Sequence, residues 1–97
     1  MGNINIEGIR KYFSSQPIER VWLFGSYARG TERPDSDIDL LVKFENEATI
    51  GLITLSRIVM DLKEIVEKDV DLVVDGTLFP WIEEKVEKDK ILIYERV

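Results

Sequence analysis

Leu52, Leu55, Ile58, Val59, Leu62, Ile65 and Val66 recur at helical spacing, while Arg57, Asp61, Lys63 and Glu64 fall on the opposite side. A helix with a single apolar stripe is stable only when that stripe is buried against other elements. Thr49 is the predicted N-cap of this helix. Its partners must come from the shorter segments around it. Val21-Trp22-Leu23-Phe24 is wholly apolar and predicts a central strand buried on both faces. Asp37 to Lys43 alternates, with Ile38, Leu40 and Val42 on one face and Asp37, Asp39 and Leu41 on the other. Val70 to Val74 places Asp71 and Val73 opposite Val70, Leu72 and Val74. Ile91 to Tyr94 predicts a last strand.

Shorter helices fill the rest. Ile6, Ile9, Tyr12 and Phe13 form a short amphipathic stripe ended by Pro17. Pro80 suits the first position of a final helix whose apolar side is Leu78 or Phe79, Ile82 and Val86. Gly25 to Gly30 predicts a tight turn into about one turn of helix. The predicted order is α-β-(short α)-β-α-β-α-β. The fold class is therefore α/β (α+β), a mixed sheet of about four strands covered by helices.

The 97 residues predict one domain, 1–97, with 13 Lys and Arg against 19 Asp and Glu, a net charge of −6. That acidic balance argues against direct binding to nucleic acid, which relies on a surplus of Lys and Arg. Cysteine and histidine are both absent. Disulfides, thiol nucleophiles, His or Cys metal sites and Ser-His-Asp triads are thereby excluded within this chain. Acid–base and metal chemistry is left to Asp, Glu, Lys, Tyr and backbone groups. No apolar run approaches the roughly 20 residues of a membrane span, and the N-terminus lacks the pattern of a signal peptide. The expected location is cytoplasmic, away from membranes.

The chemistry concentrates in Gly25-Ser26-Tyr27-Ala28-Arg29-Gly30 and Ser36-Asp37-Ile38-Asp39. A glycine at the end of a buried strand lets the chain turn sharply and approach a ligand closely. The N–H groups that follow are unpaired at a helix start and suit phosphate. Ser26 adds a hydroxyl and Arg29 a charge one turn later. Asp37 and Asp39 leave the same face of a strand with Cα atoms roughly 6.5 Å apart, close enough to converge on one cation. Asp71 is a third carboxylate inside an apolar strand; with the acidic faces aligned it joins the other two. Two like charges side by side are unfavourable unless a cation joins them. An all-oxygen donor set selects Mg²⁺ or Mn²⁺. Each part alone has a simpler reading: a turn and cap, a solvated arginine, an acidic strand start, a strand-edge charge. Together, a phosphate turn facing three carboxylates is the equipment of phosphoryl or nucleotidyl transfer.

Gly25-Ser26-x-x-Arg29-Gly30, a short loop, Ser36-Asp37-x-Asp39-Leu40-x-Val42 and the later Asp71 resemble the nucleotidyltransferase superfamily of DNA polymerase beta. Within it the pattern is most similar to the minimal nucleotidyltransferases, over nearly the whole chain. The resemblance implies that Gly25 and Ser26 hold the triphosphate of ATP. Asp37 and Asp39 would ligate two Mg²⁺ ions, and Asp71 would ligate the second and help activate the attacking hydroxyl. Arg29 would neutralise phosphate or brace the acidic cluster. It further implies a partner: such proteins pair with a HEPN toxin, a helical ribonuclease, and as antitoxins transfer AMP to its tyrosine hydroxyl. Two alternatives stay open, an antitoxin that neutralises by binding alone and a nucleotidyltransferase for a small-molecule acceptor. The short chain weighs against the second, and with its acidity against polymerase or tRNA-end activity. Oligomer formation also stays open. Trp22 is expected in the core, whereas Trp81 suits either core packing or a partner contact.

Overall fold

The computed structural model describes residues 3–45 and 51–97. Its elements are α1 (Ile6–Phe13), β1 (Ile18–Phe24), α2 (Ser26–Arg29), β2 (Ile38–Phe44), α3 (Leu52–Val66), β3 (Val70–Val74), α4 (Pro80–Asp89) and β4 (Ile91–Glu95), the order read from the sequence. One four-stranded sheet runs β3-β2-β1-β4. β1 is antiparallel to β2 and to β4, and β2 is parallel to β3. The helix α3 makes the crossover between the parallel pair, as such a pair requires. Among the described residues no helix is long and apolar enough to cross a membrane.

The main core lies between one face of the sheet and the helices α1 and α3. Ile9 and Phe13 from α1, Ile58 and Leu62 from α3, and Val21, Leu23, Ile38 and Leu40 from the sheet are all fully buried there. Tyr12 ties the two helices together: its hydroxyl donates to Asp61 Oδ2 at 2.7 Å. Burial and the adjacent carboxylate hold the Tyr12 phenol well above its usual range. Asp61 is thus half-buried and bonded, not a purely solvated residue of the outer helix face.

Several expectations change. β1 starts at Ile18, earlier than its apolar run, because Glu19 and Arg20 are stabilised across the sheet by Lys43 at 3.4 Å and Glu95 at 2.6 Å. It is not buried on both faces: Val21 and Leu23 are, whereas Trp22 and Phe24 on the opposite face are half-buried. There the Lys90 ammonium, just beyond α4, sits 4.6 Å from the centre of the Trp22 ring. Leu52 is not part of the buried stripe. It is 81% exposed and Ile53 87%, since the first turn of α3 projects past the core and the stripe starts at Leu55. Thr49 lies outside the described residues; Gly51 stands at the N-cap position of α3. The inward residues at α4 are Ile82 and Val86 together with Leu78 just ahead of the helix, and Phe79 points outward to stack on the exposed Trp81.

Candidate active site

The second face of the sheet carries the acidic residues. Strand register sets Phe24 on β1 across from Asp39 on β2, and Asp39 across from Asp71 on β3. The sequence left open whether the two acidic strands were neighbours; they are, and their acidic faces align. Asp37 immediately precedes β2 and is exposed. The Ile38 N–H donates to Asp69 O at 2.9 Å, which fixes the start of β2 beside the loop entering β3. Ser36 closes its own loop: its hydroxyl accepts from the Arg33 N–H at 2.8 Å, and the Ser36 N–H donates to Arg33 O at 3.0 Å.

Gly25 is the hinge between β1 and this face. Its φ of 76° and ψ of −154° are reached by glycine and hardly by any other residue. A Cβ there would overlap Asp39 Oδ2. The backbone at Gly25 therefore packs directly on the Asp39 carboxylate, and glycine is demanded twice, by dihedral angle and by space. The first bond within α2 runs from the Arg29 N–H to Gly25 O at 3.1 Å. The N–H groups before it are not used by the helix. Gly30 ends α2 in the left-handed conformation, with φ of 74°.

Asp39 carries the electrical signature of the cluster. Its pKa is pushed up to about 6 from 3.8, first by burial, then by the charge of Asp71 and a hydrogen bond to it, and then by the charge of Asp37. Arg29 pulls the other way. Among the described residues no three acidic side chains are drawn into a ready-made metal cage. The cluster nevertheless suits a hard divalent cation: its donors are all carboxylate oxygens, and the raised pKa of Asp39 beside Asp71 marks where positive charge is missing. A cleft of about 240 Å³, lined in part by Ser36, Asp37, Glu67 and Asp69, opens beside Asp37 and leaves that carboxylate accessible.

Two residues that position the site escaped the sequence reading. Tyr27 is buried in the main core and anchors α2. Its apolar ring following Ser26 was the available signal. Asp89, at the end of α4, pairs with Arg29 at 2.7 Å. Nothing in a solvated run of Lys and Glu marks it out, because the partner is sixty residues away.

A small mixed sheet that brings a glycine turn against paired carboxylates defines a nucleotidyltransferase domain. The chain belongs to the polymerase beta nucleotidyltransferase family, whose profile, "Polymerase beta, Nucleotidyltransferase", matches residues 7–97. A Methanocaldococcus jannaschii protein named as a protein adenylyltransferase is 33% identical over 69 residues, 71% of this chain and 72% of its own. A solved minimal nucleotidyltransferase is 33% identical, with a TM-score of 0.70 over 94% of this chain and 98% of its own. The crystal structure of a toxin–antitoxin with AMP-PNP aligns with a TM-score of 0.83 at 25% identity, over 96% of this chain and 75% of the matched one.

Proposed function

We propose that this protein is an Mg²⁺-dependent adenylyltransferase that moves AMP from ATP to a tyrosine hydroxyl of a partner HEPN toxin, and so acts as its antitoxin in the cytoplasm. The observation that carries this reading is the contact of Gly25 with Asp39, which in turn faces Asp71. It sets a phosphate-binding turn against a carboxylate pair. The similarity to a protein adenylyltransferase and to a toxin–antitoxin structure with a bound ATP analogue supports the nucleotide, the acceptor class and the partner.

In this reading Gly25 and Ser26 bind the triphosphate through backbone N–H groups and the Ser26 hydroxyl. Asp37, Asp39 and Asp71 hold Mg²⁺, or Mn²⁺, which supplies Lewis-acid neutralisation of phosphate charge when bound. Asp71, the exposed member of the pair, accepts the proton of the acceptor hydroxyl. The hydroxyl oxygen forms a bond to the α-phosphorus, the bond between that phosphorus and the bridging oxygen breaks, and pyrophosphate leaves. Arg29 stands one turn beyond Ser26 and contributes positive charge beside the phosphates.

Incubation of the purified protein with its toxin partner, ATP and Mg²⁺, followed by mass spectrometry of the partner, tests the proposal. The expected result is an AMP adduct on tyrosine with release of pyrophosphate. A toxin that is silenced without an adduct would show neutralisation by binding alone.

A further inference from the structure

The helix α2 is four residues long and carries both the proposed phosphate turn and Arg29. Three side chains tie it down, of which Ala28 packs half-buried against the core. Tyr27 is buried in the core, and Arg29 Nη1 donates to Asp89 Oδ2 at 2.7 Å. Among the described residues this is the one side-chain hydrogen bond that α2 makes. Asp89 is the less exposed half of the pair, 24% against 49% for Arg29. Its neighbour Lys90 is pinned as well, by Glu87 at 2.6 Å and by the Trp22 ring at 4.6 Å. The end of α4 is therefore a fixed post on β1, and Arg29 reaches across to it. Arg29 is also near enough to Asp39 for its charge to act on that carboxylate.

A guanidinium presents five donors in a rigid planar fork. A bond from Nη1 to Asp89 fixes the plane and leaves the other donors for a second anion. We infer that Asp89 is a positioning residue for nucleotide binding, acting through Arg29 to set the guanidinium beside the Gly25–Ser26 turn. This rests on the nucleotidyl-transfer reading given above. The sign of the effect is diagnostic. Were Asp89 only a competing anion that occupies Arg29, its removal would strengthen ATP binding; as a positioning residue, its removal weakens it.

The test is equilibrium binding of a fluorescent ATP analogue with Mg²⁺, together with KM for ATP and kcat, for Asp89→Ala, Asp89→Glu, Arg29→Ala and the Arg29→Ala/Asp89→Ala double variant. Asp89→Ala is expected to weaken binding about fivefold, the scale set by a partly screened ion pair. It should raise KM for ATP in step with kcat nearly unchanged, and Asp89→Glu should recover most of the loss. In the Arg29→Ala background, removal of Asp89 should change nothing further. Should Asp89→Ala fold poorly in melting curves, Asp89→Asn, which keeps an oxygen acceptor, takes its place with a smaller expected loss. Unchanged or tighter binding in the single variant, or additive losses in the double variant, would overturn the inference while leaving the function standing. A wild-type protein that neither binds the analogue nor transfers AMP would overturn the function and this inference together.

Discussion

Asp39 on β2 and Asp71 on β3 stand directly across from each other in neighbouring parallel strands. Like charges in that relation are destabilising unless a proton or a cation lies between them. In the free protein Asp39 bears that strain: its pKa is pushed up to about 6 from 3.8, so it keeps its proton further into the mildly acidic range than an unperturbed carboxyl does.

The first prediction is a pH-dependent stability. Between pH 3.8 and about 6 the folded protein binds more protons at Asp39 than the unfolded chain does. Stability from this group therefore falls as pH rises through that window and stays lost above it. Asp39→Asn removes the penalty. Measured in chelator, the variant should melt higher than wild type above pH 6 and match it below pH 4. The full shift corresponds to at most about 3 kcal/mol. Solvation of the half-exposed site reduces the expected gain to about 1 kcal/mol, or about 4–8 °C for a domain of this size.

The same substitution should abolish transfer. Metal and positioning supply most of the catalysis in phosphoryl transfer, so Asp39→Asn and Asp71→Asn should each lower turnover by about three orders of magnitude or more. Ser26→Ala should lose far less, because the backbone N–H groups of the turn remain. Single-turnover assays on the three variants make the comparison. Similar small losses in all of them would remove the carboxylates from the chemistry.

Binding of ATP with Mg²⁺ should stabilise the wild-type fold by mass action, about 2.7 kcal/mol at one hundred times Kd. Melting curves of Asp39→Asn should respond much less to the same addition. A full response in the variant would mean that the carboxylate does not hold the cation.

Gly25→Ala tests the close contact behind the site. Alanine meets a disfavoured φ of 76° and its Cβ would overlap the Asp39 carboxylate. The expected loss of stability is about 2 kcal/mol or more, together with loss of ATP binding. By contrast, Gly30→Ala meets only the strain of its φ of 74°, since nothing lies within 4 Å of its added Cβ. It should cost about 1 kcal/mol and leave binding measurable.

Two leucines of α3 separate the apparent stripe from the buried one. Leu62→Ala removes a fully buried side chain and should cost about 2–5 kcal/mol in denaturant titration. Leu52→Ala, at a position 81% exposed, should stay within about 0.5 kcal/mol of wild type.

The amino-acid order determined a good deal by itself. Period and punctuation are local properties, so the four strands and four helices could be read from alternation, from the stripe of α3 and from Pro17, Gly25 and Pro80. The joint spacing of Gly25, Ser26, Asp37 and Asp39 was equally legible, since all four lie within fifteen residues of chain. Even so, the strand at Ile18 was hidden, because Glu19 and Arg20 read as polar until Lys43 and Glu95 stand across from them. Leu52 misled for the opposite reason: helical phase says which side of α3 a residue is on, but not whether a sheet extends far enough to cover it.

What the tertiary structure alone decided are the relations between distant residues. Local pattern placed Asp39 and Asp71 each on a strand face; only the parallel pairing of β2 with β3 put them in register and lodged the electrostatic strain on Asp39. The overlap awaiting a side chain at Gly25 and the pairing of Arg29 with Asp89 likewise depend on strands and helices meeting across the fold. Periodicity is set by each residue's near neighbours along the chain. A carboxylate's pKa and a guanidinium's partner are set by whatever charge the folded backbone brings within a few ångströms, and that is a property of the packing.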